Sequence, residues 1–182
     1  FLYLSSSEIY SGLKNDWTEN RVGTANTDHP RAGYIQSKKS GETLVNLWAK
    51  KFNIYAKSIR LCLAYGPGNK KNDKRVLYQF IDKALKDKKI KMLDSGTEKR
   101  SYIYIADAME MMINVLFFGT KNIYNIGGKE KVTILGLAKK IGKIIGVPAL
   151  SPSKKKLNNI GAPSSAFVKN NVYNKEFKIK KM

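Results

Sequence analysis

Residues Ala32–Leu61 read AGYIQSKKSGETLVNLWAKKFNIYAKSIRL and carry the strongest evidence about the architecture. From Ala32 to Lys51 apolar side chains recur at helical spacing, and from Ile54 to Leu61 apolar and polar residues alternate as in a strand. The apolar run Phe1–Leu4 predicts another strand before this helix. A strand, a helix and a second strand in succession are typical of parallel sheets. We therefore expect an α/β fold.

The alternation continues along the chain. Residues 11–30 form a long polar loop, of the kind that is often functional. A turn at Ala64–Gly68 leads into a basic loop that ends near Lys74, and the chain after Pro148 has little predicted structure. The other predicted elements are helices over Val76–Leu85, Ala106–Phe118 and Thr133–Ile145, with Thr133 as N-cap, and strands over Ile90–Leu93, Tyr102–Ile105 and Tyr124–Gly128.

Composition excludes several classes of protein. The 182 residues contain one cysteine, Cys62, and one histidine, His29, so a disulfide scaffold and a zinc site are not expected. No apolar run is long enough to cross a membrane. The single cysteine and the lack of a signal peptide favour the cytoplasm. Because the chain starts inside a strand and stops without a helix cap, we expect a fragment of a longer protein, cut at both ends.

The net charge of +20 arises mainly from lysine, since only five of the 34 basic residues are arginine. The lysines are spread along the whole chain, which favours a solvated basic surface. A basic groove for an anionic ligand is the alternative, and a phosphate-bearing small molecule suits it as well as a nucleic acid does.

Tyr34 and Lys38 are one helical turn apart and lie on one face of the predicted helix. An ammonium beside a phenol stabilises the phenolate, and such a tyrosine can act as a general base near neutral pH. Tyr10 and Lys14 have the same spacing, so coincidence is the alternative.

Ser6 and Glu8 directly follow the first predicted strand. Open parallel sheets bind ligands at this end of their strands. A serine there can hydrogen-bond a substrate hydroxyl, and a carboxylate can move a proton. A serine-rich turn capped by Glu8 is the structural alternative.

Five ordered segments resemble the extended short-chain dehydrogenases that modify nucleotide sugars. They are Leu4–Tyr10, Pro30–Lys38 with a Tyr-x-x-x-Lys motif, Arg60–Gly68 with a Tyr-Gly-Pro loop, Lys99–Asp107 with an Arg-Ser pair, and Tyr124–Gly128. The resemblance implies the C-terminal part of a Rossmann-type doubly wound parallel sheet plus a smaller α/β substrate-binding lobe. Residues 1–66 would be the C-terminal half of the NAD-binding domain. Residues 67–182 would be mainly the substrate lobe, with some segments returning to the Rossmann sheet.

The resemblance also implies a mechanism with NAD as cofactor and no metal. NAD takes hydride from C4 of the sugar while Tyr34 takes the hydroxyl proton. Ser6 aligns that hydroxyl, Glu8 belongs to the same catalytic set, and Lys38 holds the nicotinamide ribose. Arg100 binds the substrate diphosphate and Arg75 is a candidate for the nucleotide. The alternative for both arginines is a surface ion pair.

Relatives in this family pair through the Tyr-x-x-x-Lys helix, so a homodimer is expected, with Leu44, Val45 and Trp48 contributing apolar surface. No glycine fingerprint for a dinucleotide follows any strand of this chain. In the family that motif lies near the amino terminus, so the fragment alone is expected to be inactive.

Ser7-Glu8 stands where dehydratases acting on deoxythymidine-linked glucose have Asp-Glu. Ser-Glu is similar to the UDP-glucuronate decarboxylases and GDP-mannose dehydratases, which favours decarboxylation over dehydration or epimerisation. Leu63 and Gly68 replace a family Asn and Arg, so the nucleotide and the sugar stay open. A non-catalytic relative and a basic nucleic-acid-binding module are the alternative functions; the retained site residues oppose the first, and the scattered lysines oppose the second.

Overall fold

The computed structural model describes residues 1–14, 17–68, 70, 73–152 and 165–177. Helices and strands alternate through most of this length, as the periodicity predicts. In chain order the elements are β1 (Leu2–Ser6), a 3₁₀ turn (Ser7–Tyr10), α1 (Ala32–Phe52), β2 (Lys57–Leu61), β3 (Leu63–Tyr65), α2 (Val76–Asp87), β4 (Ile90–Lys91), β5 (Lys99–Tyr104), α3 (Ile105–Phe118), β6 (Ile123–Ile126), β7 (Lys131–Thr133), α4 (Ile134–Ile145), β8 (Ala149–Leu150), β9 (Ser165–Ala166) and α5 (Asn171–Glu176).

The elements divide between two compact units. The first unit comprises Phe1–Tyr65, Ser101–Glu130 and the described residues from Ala166 onward. The second unit comprises the described residues of Gly66–Arg100 and Lys131–Ser165.

A parallel sheet with the strand order β1-β2-β6 forms the centre of the first unit. Leu2 lies opposite Lys57 and Ser6 opposite Leu61 in the β1–β2 register. The strands are parallel because α1 carries the chain back to the starting edge before β2 begins. The expected α/β class with parallel strands is therefore confirmed.

Helix α1 lies close to β1 because Gly41 leaves room for a ring. A side-chain carbon at Gly41 would lie 2.1 Å from the phenolic oxygen of Tyr3. The helix ends at Phe52, its C-cap Asn53 has a left-handed backbone, and Ile54 N still donates to Ala49 O at 3.1 Å. The following strand consequently begins at Lys57, so the prediction that it starts at Ile54 was wrong.

The main core of the first unit forms where α3 packs on β2 and β6. Ile59, Met112, Val115 and Ile126 belong to this buried cluster. Helix α3 starts at Ile105, directly after β5. The predicted strand Tyr102–Ile105 was therefore placed too late at both of its ends.

The expectation of little structure after Pro148 was wrong for α5 and for the short strands β8 and β9. Tyr173 of α5 is buried in the main core. Glu176 accepts hydrogen bonds from Thr120 N at 2.7 Å and from Tyr124 Oη at 2.5 Å. Such short elements are held by tertiary contacts and show no periodicity in the sequence, as β3 and β7 also illustrate.

In the second unit α2 packs against α4, and β4 pairs in parallel with β8. Thr133 Oγ1 accepts a hydrogen bond from Gly136 N at 2.9 Å, which confirms the predicted N-cap of α4. Within the described ranges, no helix combines the length and the apolar character that crossing a membrane requires.

Candidate active site

Tyr34 and Lys38 lie in the first half of α1, beside the end of β1. Lys38 Nζ is 5.8 Å from the centroid of the Tyr34 ring and donates a 2.8 Å hydrogen bond to Leu4 O. The Tyr34 side chain is accessible, with 41% of the residue exposed. The Lys38 ammonium thus lies near the Tyr34 ring and is hydrogen-bonded to the backbone of β1 two residues before Ser6.

Ser6 is buried at the carboxyl end of β1 and caps the 3₁₀ turn. Its Oγ accepts a hydrogen bond from Glu8 N at 3.1 Å. The hydroxyl hydrogen of Ser6 is still available, because this contact uses only an oxygen lone pair. The turn is therefore capped by Ser6 and not by Glu8, and the Glu8 carboxylate extends elsewhere.

Glu8 binds Arg31, which the sequence places just before Tyr34. Arg31 Nη2 donates to Glu8 Oε1 at 2.7 Å, and Arg31 Nε donates to Glu8 Oε2. The hydrogen bonds to Glu8 raise the pKa of Arg31 above its ordinary value. Arg31 Cζ also lies 5.0 Å from the centroid of the Tyr34 ring. Glu8, Arg31 and Tyr34 are therefore neighbours.

A buried polar network lies below these groups. Arg60 is 1% exposed, and its Nη2 donates to Glu42 Oε2 at 2.7 Å while Nη1 donates to Tyr10 Oη at 2.8 Å. Burial opposes the charge on Arg60, but hydrogen bonds to Glu42 and Tyr10 outweigh it and raise the pKa of Arg60. Tyr10 Oη donates to Asn125 Oδ1 at 2.8 Å, and burial raises the pKa of Tyr10 to about 12.

This network connects the elements that carry the site. Glu42 follows Lys38 by one turn on α1, and Tyr10 follows Glu8 in the 3₁₀ turn. Sequence reasoning missed the network. The available signal was Arg60 itself, because a charged residue between two apolar strand neighbours needs a buried partner.

The long loop predicted over residues 11–30 is attached to the same region. Gly23 N donates to Ile9 O at 2.8 Å, and Lys39 Nζ donates to Gly23 O at 2.7 Å. Arg60 Nη1 also donates to the carbonyl oxygens of Glu19 and Arg21, at 3.0 and 2.9 Å. Residues 15 and 16 of the loop lie outside the described residues.

Arg75 and Arg100, the predicted substrate-binding arginines, belong to the second unit. Arg75 is the N-cap residue of α2, and its Nη2 binds Asp73 Oδ2 at 2.6 Å, which lowers the pKa of Asp73. Arg100 Nη1 donates to Lys99 O at 2.8 Å. Gly68, which replaces an arginine of the family pattern, has a φ of +84°, a left-handed conformation that favours glycine.

The structure thus brings Ser6, Glu8, Tyr34 and Lys38 to one end of β1, within the first unit. These residues fit the nicotinamide end of a dinucleotide. Tyr34 is accessible, and a side-chain carbon at the preceding Gly33 would meet no atom within 4 Å, so the start of α1 faces open space. This is also the end of a parallel sheet at which dinucleotides bind.

Comparisons with known proteins identify relatives of this chain. A family model described as "NAD dependent epimerase/dehydratase family" matches residues 1–127. Over 145 residues the chain is 29% identical to UDP-glucuronic acid decarboxylase 6 of Arabidopsis thaliana, covering 79% of this chain and 42% of that protein. It is 32% identical over 149 residues to dTDP-D-glucose 4,6-dehydratase of Dictyostelium discoideum, covering 78% of this chain and 34% of that protein.

A solved structure is also similar. UDP-glucuronic acid 4-epimerase from Bacillus cereus, in complex with UDP-glucuronic acid and NAD, superimposes with a TM-score of 0.81 and 25% identity. The match covers 100% of this chain and 56% of that one. The chain therefore spans about half the length of the proteins that it matches, or less.

Proposed function

Because the chain belongs to the NAD-dependent epimerase/dehydratase family, we propose that the whole protein modifies a nucleotide sugar through a 4-keto intermediate. The observation that carries this proposal is the placement of Tyr34 and Lys38 on α1 beside Ser6 at the end of β1. We assign the NAD-binding role to the region of residues 1–66 and the substrate-binding role mainly to residues 67–182.

NAD, when bound, would accept the hydride that leaves C4 of the sugar. Tyr34 removes the proton of the C4 hydroxyl, and the Lys38 ammonium lies 5.8 Å from the centroid of its ring. Ser6 donates its free hydroxyl hydrogen to the reacting oxygen. Lys38 binds the nicotinamide ribose once its ammonium leaves Leu4 O.

Decarboxylation is the reaction that we favour at the 4-keto stage. A ketone at C4 lets a carboxylate on C5 leave as carbon dioxide, because the C4 carbonyl accepts the electron pair of the broken C5–C6 bond as an enolate, which is then protonated at C5. Ser7-Glu8 offers one carboxylate after β1, where a dehydratase of the Asp-Glu type offers two. The similarity to a UDP-glucuronic acid decarboxylase supports this choice.

Arg100 is proposed to bind the diphosphate and Arg75 the nucleotide. A planar guanidinium donates two parallel hydrogen bonds to phosphate oxygens, which a lysine does not. Arg100→Ala should weaken binding of every nucleotide sugar about tenfold to a hundredfold, measured by calorimetry. Equal affinity in wild type and variant, or tighter binding to oligonucleotides, would contradict this assignment.

The test of the catalytic proposal is Tyr34→Phe in the whole protein, supplied with NAD and UDP-glucuronic acid. We expect kcat to fall about 10²- to 10⁴-fold while KM and the fold stay unchanged, because only proton transfer is lost. Tyr55→Phe, at a position 90% exposed, is the matched control. Carbon dioxide release identifies a decarboxylase, whereas a 4-epimer without it identifies an epimerase. Near-normal turnover in Tyr34→Phe would refute the role of Tyr34.

We also propose a homodimer that forms through the outer face of α1, and a cytoplasmic location, which the single cysteine supports. Leu44, Leu47 and Trp48 are 54, 57 and 53% exposed, so α1 presents apolar surface that a second copy of the chain could cover. Leu47→Glu should convert the dimer to monomer in light scattering. A wild-type protein that is monomeric at micromolar concentration would contradict the dimer.

A further inference from the structure

Arg31 lies between two groups of the candidate site. Its Nη2 and Nε occupy both carboxylate oxygens of Glu8, and its Cζ is 5.0 Å from the centroid of the Tyr34 ring. The guanidinium therefore adjoins the phenol at which the C4 hydroxyl of the sugar is proposed to react.

Part of this guanidinium is free to bind a ligand. A guanidinium carries five N–H donors, and the contacts with Glu8 use Nε and Nη2. Within the described ranges, Nη1 of Arg31 has no hydrogen-bond partner, and the side chain is 53% exposed. A second carboxylate can therefore approach Arg31 from solvent.

Two lysines of the same helix are already engaged. Lys38 Nζ donates to Leu4 O at 2.8 Å, and Lys39 Nζ donates to Gly23 O at 2.7 Å. The backbone of Arg31 is fixed at the start of α1, because its carbonyl accepts from Ile35 N at 3.0 Å. Arg31 thus offers a planar, permanently charged donor on a rigid element beside Tyr34.

We infer that Arg31 recognises a carboxylate at C6 of the sugar and selects nucleotide-linked uronic acids over neutral hexoses. The inference rests on the proposed function. C6 is bonded to C5, next to the C4 whose hydroxyl meets Tyr34, so a carboxylate at C6 lies close to the phenol that Arg31 adjoins. The substrate carboxylate and Glu8 present the same chemical group, and they compete for one guanidinium.

The pairing of Arg31 with Glu8 also reduces the repulsion between Glu8 and a substrate carboxylate. An unpaired Glu8 would repel a second carboxylate in the same part of the site. Paired with Arg31, the two side chains have no net charge. A neutral hexose, with a hydroxymethyl group at C6, neither needs this compensation nor gains a charge-assisted hydrogen bond from Arg31.

The experiment measures binding of UDP-glucuronic acid and UDP-glucose to the whole protein by calorimetry, because these ligands differ only at C6. Arg31→Ala should weaken UDP-glucuronic acid about tenfold to a hundredfold and leave UDP-glucose unchanged. Arg31→Lys should recover only part of the preference, since it keeps the charge and loses the fork. Glu8→Gln should tighten UDP-glucuronic acid relative to UDP-glucose, because the competing carboxylate is gone. Arg21→Ala, an exposed arginine before α1, is the matched control.

Three results would overturn the inference while leaving the proposed function intact. They are an equal loss for both ligands in Arg31→Ala, the same selective loss in Arg21→Ala, and weaker uronic acid binding in Glu8→Gln. If the wild-type protein binds no nucleotide sugar, the proposed function itself is wrong and the inference fails with it.

Discussion

The buried pair of Arg60 and Glu42 gives the sharpest prediction about stability. Arg60 is 1% exposed and Glu42 5%. Glu42→Ala removes the acceptor of the hydrogen bonds from Arg60 Nε and Nη2, at 2.9 and 2.7 Å, and leaves the guanidinium charged and buried. Breaking one side of a buried ion pair costs about 3–5 kcal/mol.

That cost is large against a typical stability of about 5–15 kcal/mol. For a chain of this size it corresponds to a fall in Tm of about 6–20 °C. The measurements are thermal unfolding by circular dichroism and urea unfolding, in which the midpoint should fall while the slope is retained. Asp82→Ala breaks the exposed pair with Lys86 and is the control, with an expected cost of about 0.5 kcal/mol or less.

A second variant separates lost pairing from lost packing. Glu42→Leu combined with Arg60→Met removes both charges and keeps apolar volume, so the pair of substitutions should cost less stability than the sum of Glu42→Ala and Arg60→Met measured singly. A Glu42→Ala protein as stable as the Asp82→Ala control would refute the reasoning. A double variant that loses as much stability as that sum would refute it as well.

Three further predictions concern the loop at Gly23 and the pH dependence of stability. Gly23→Ala should cost about 1–3 kcal/mol and lower kcat, because its side-chain carbon would lie 2.1 Å from Ser11 O, whereas Gly33→Ala has open space and should not lower stability. Burial acts to raise the pKa of Glu176, but hydrogen bonds from Tyr124 and Thr120 outweigh it and lower the pKa below its ordinary value. The ionised carboxylate therefore contributes fully to the free energy of unfolding above pH about 4.3, and this contribution is lost as the pH falls further. Glu176→Gln should flatten this dependence of the unfolding free energy on pH, measured by urea unfolding. Burial raises the pKa of Tyr124 to about 12. The neutral phenol therefore contributes fully to the free energy of unfolding below pH about 10, and this contribution is lost as the pH rises further. Tyr124→Phe should abolish this loss of stability at high pH. Unchanged slopes in either variant would contradict the assignment.

The local features of this protein follow from its sequence. Helix α1 and the strands beside it are visible as periodicity, because side-chain spacing along one element depends only on the geometry of that element. The neighbourhood of Tyr34 and Lys38 is predictable for the same reason, since four residues make about one helical turn. The family resemblance also depends on ordered motifs within single segments.

Errors occurred where an element owes its existence to distant contacts. Helix α5 has only six residues, which is too short for its sequence to show a helical repeat of apolar residues. It is held in place by the tertiary contacts of Glu176 and Tyr173. The predicted start of β2 at Ile54 was too early, because the left-handed C-cap residue Asn53 extends the hydrogen bonding of α1 beyond its last helical residue.

The partners of the buried and charged groups depend on how the chain packs. Tyr10 binds Asn125 across 115 residues, Arg60 binds Glu42 across 18, and Arg31 binds Glu8 across 23. The sequence indicates that such polar and charged residues need a partner, since burying an unpaired polar group is costly. Which partner it finds is set by the strand order β1-β2-β6 and by the position of α1 against β1, because a hydrogen bond requires atoms about 3 Å apart in space, whatever their separation along the chain.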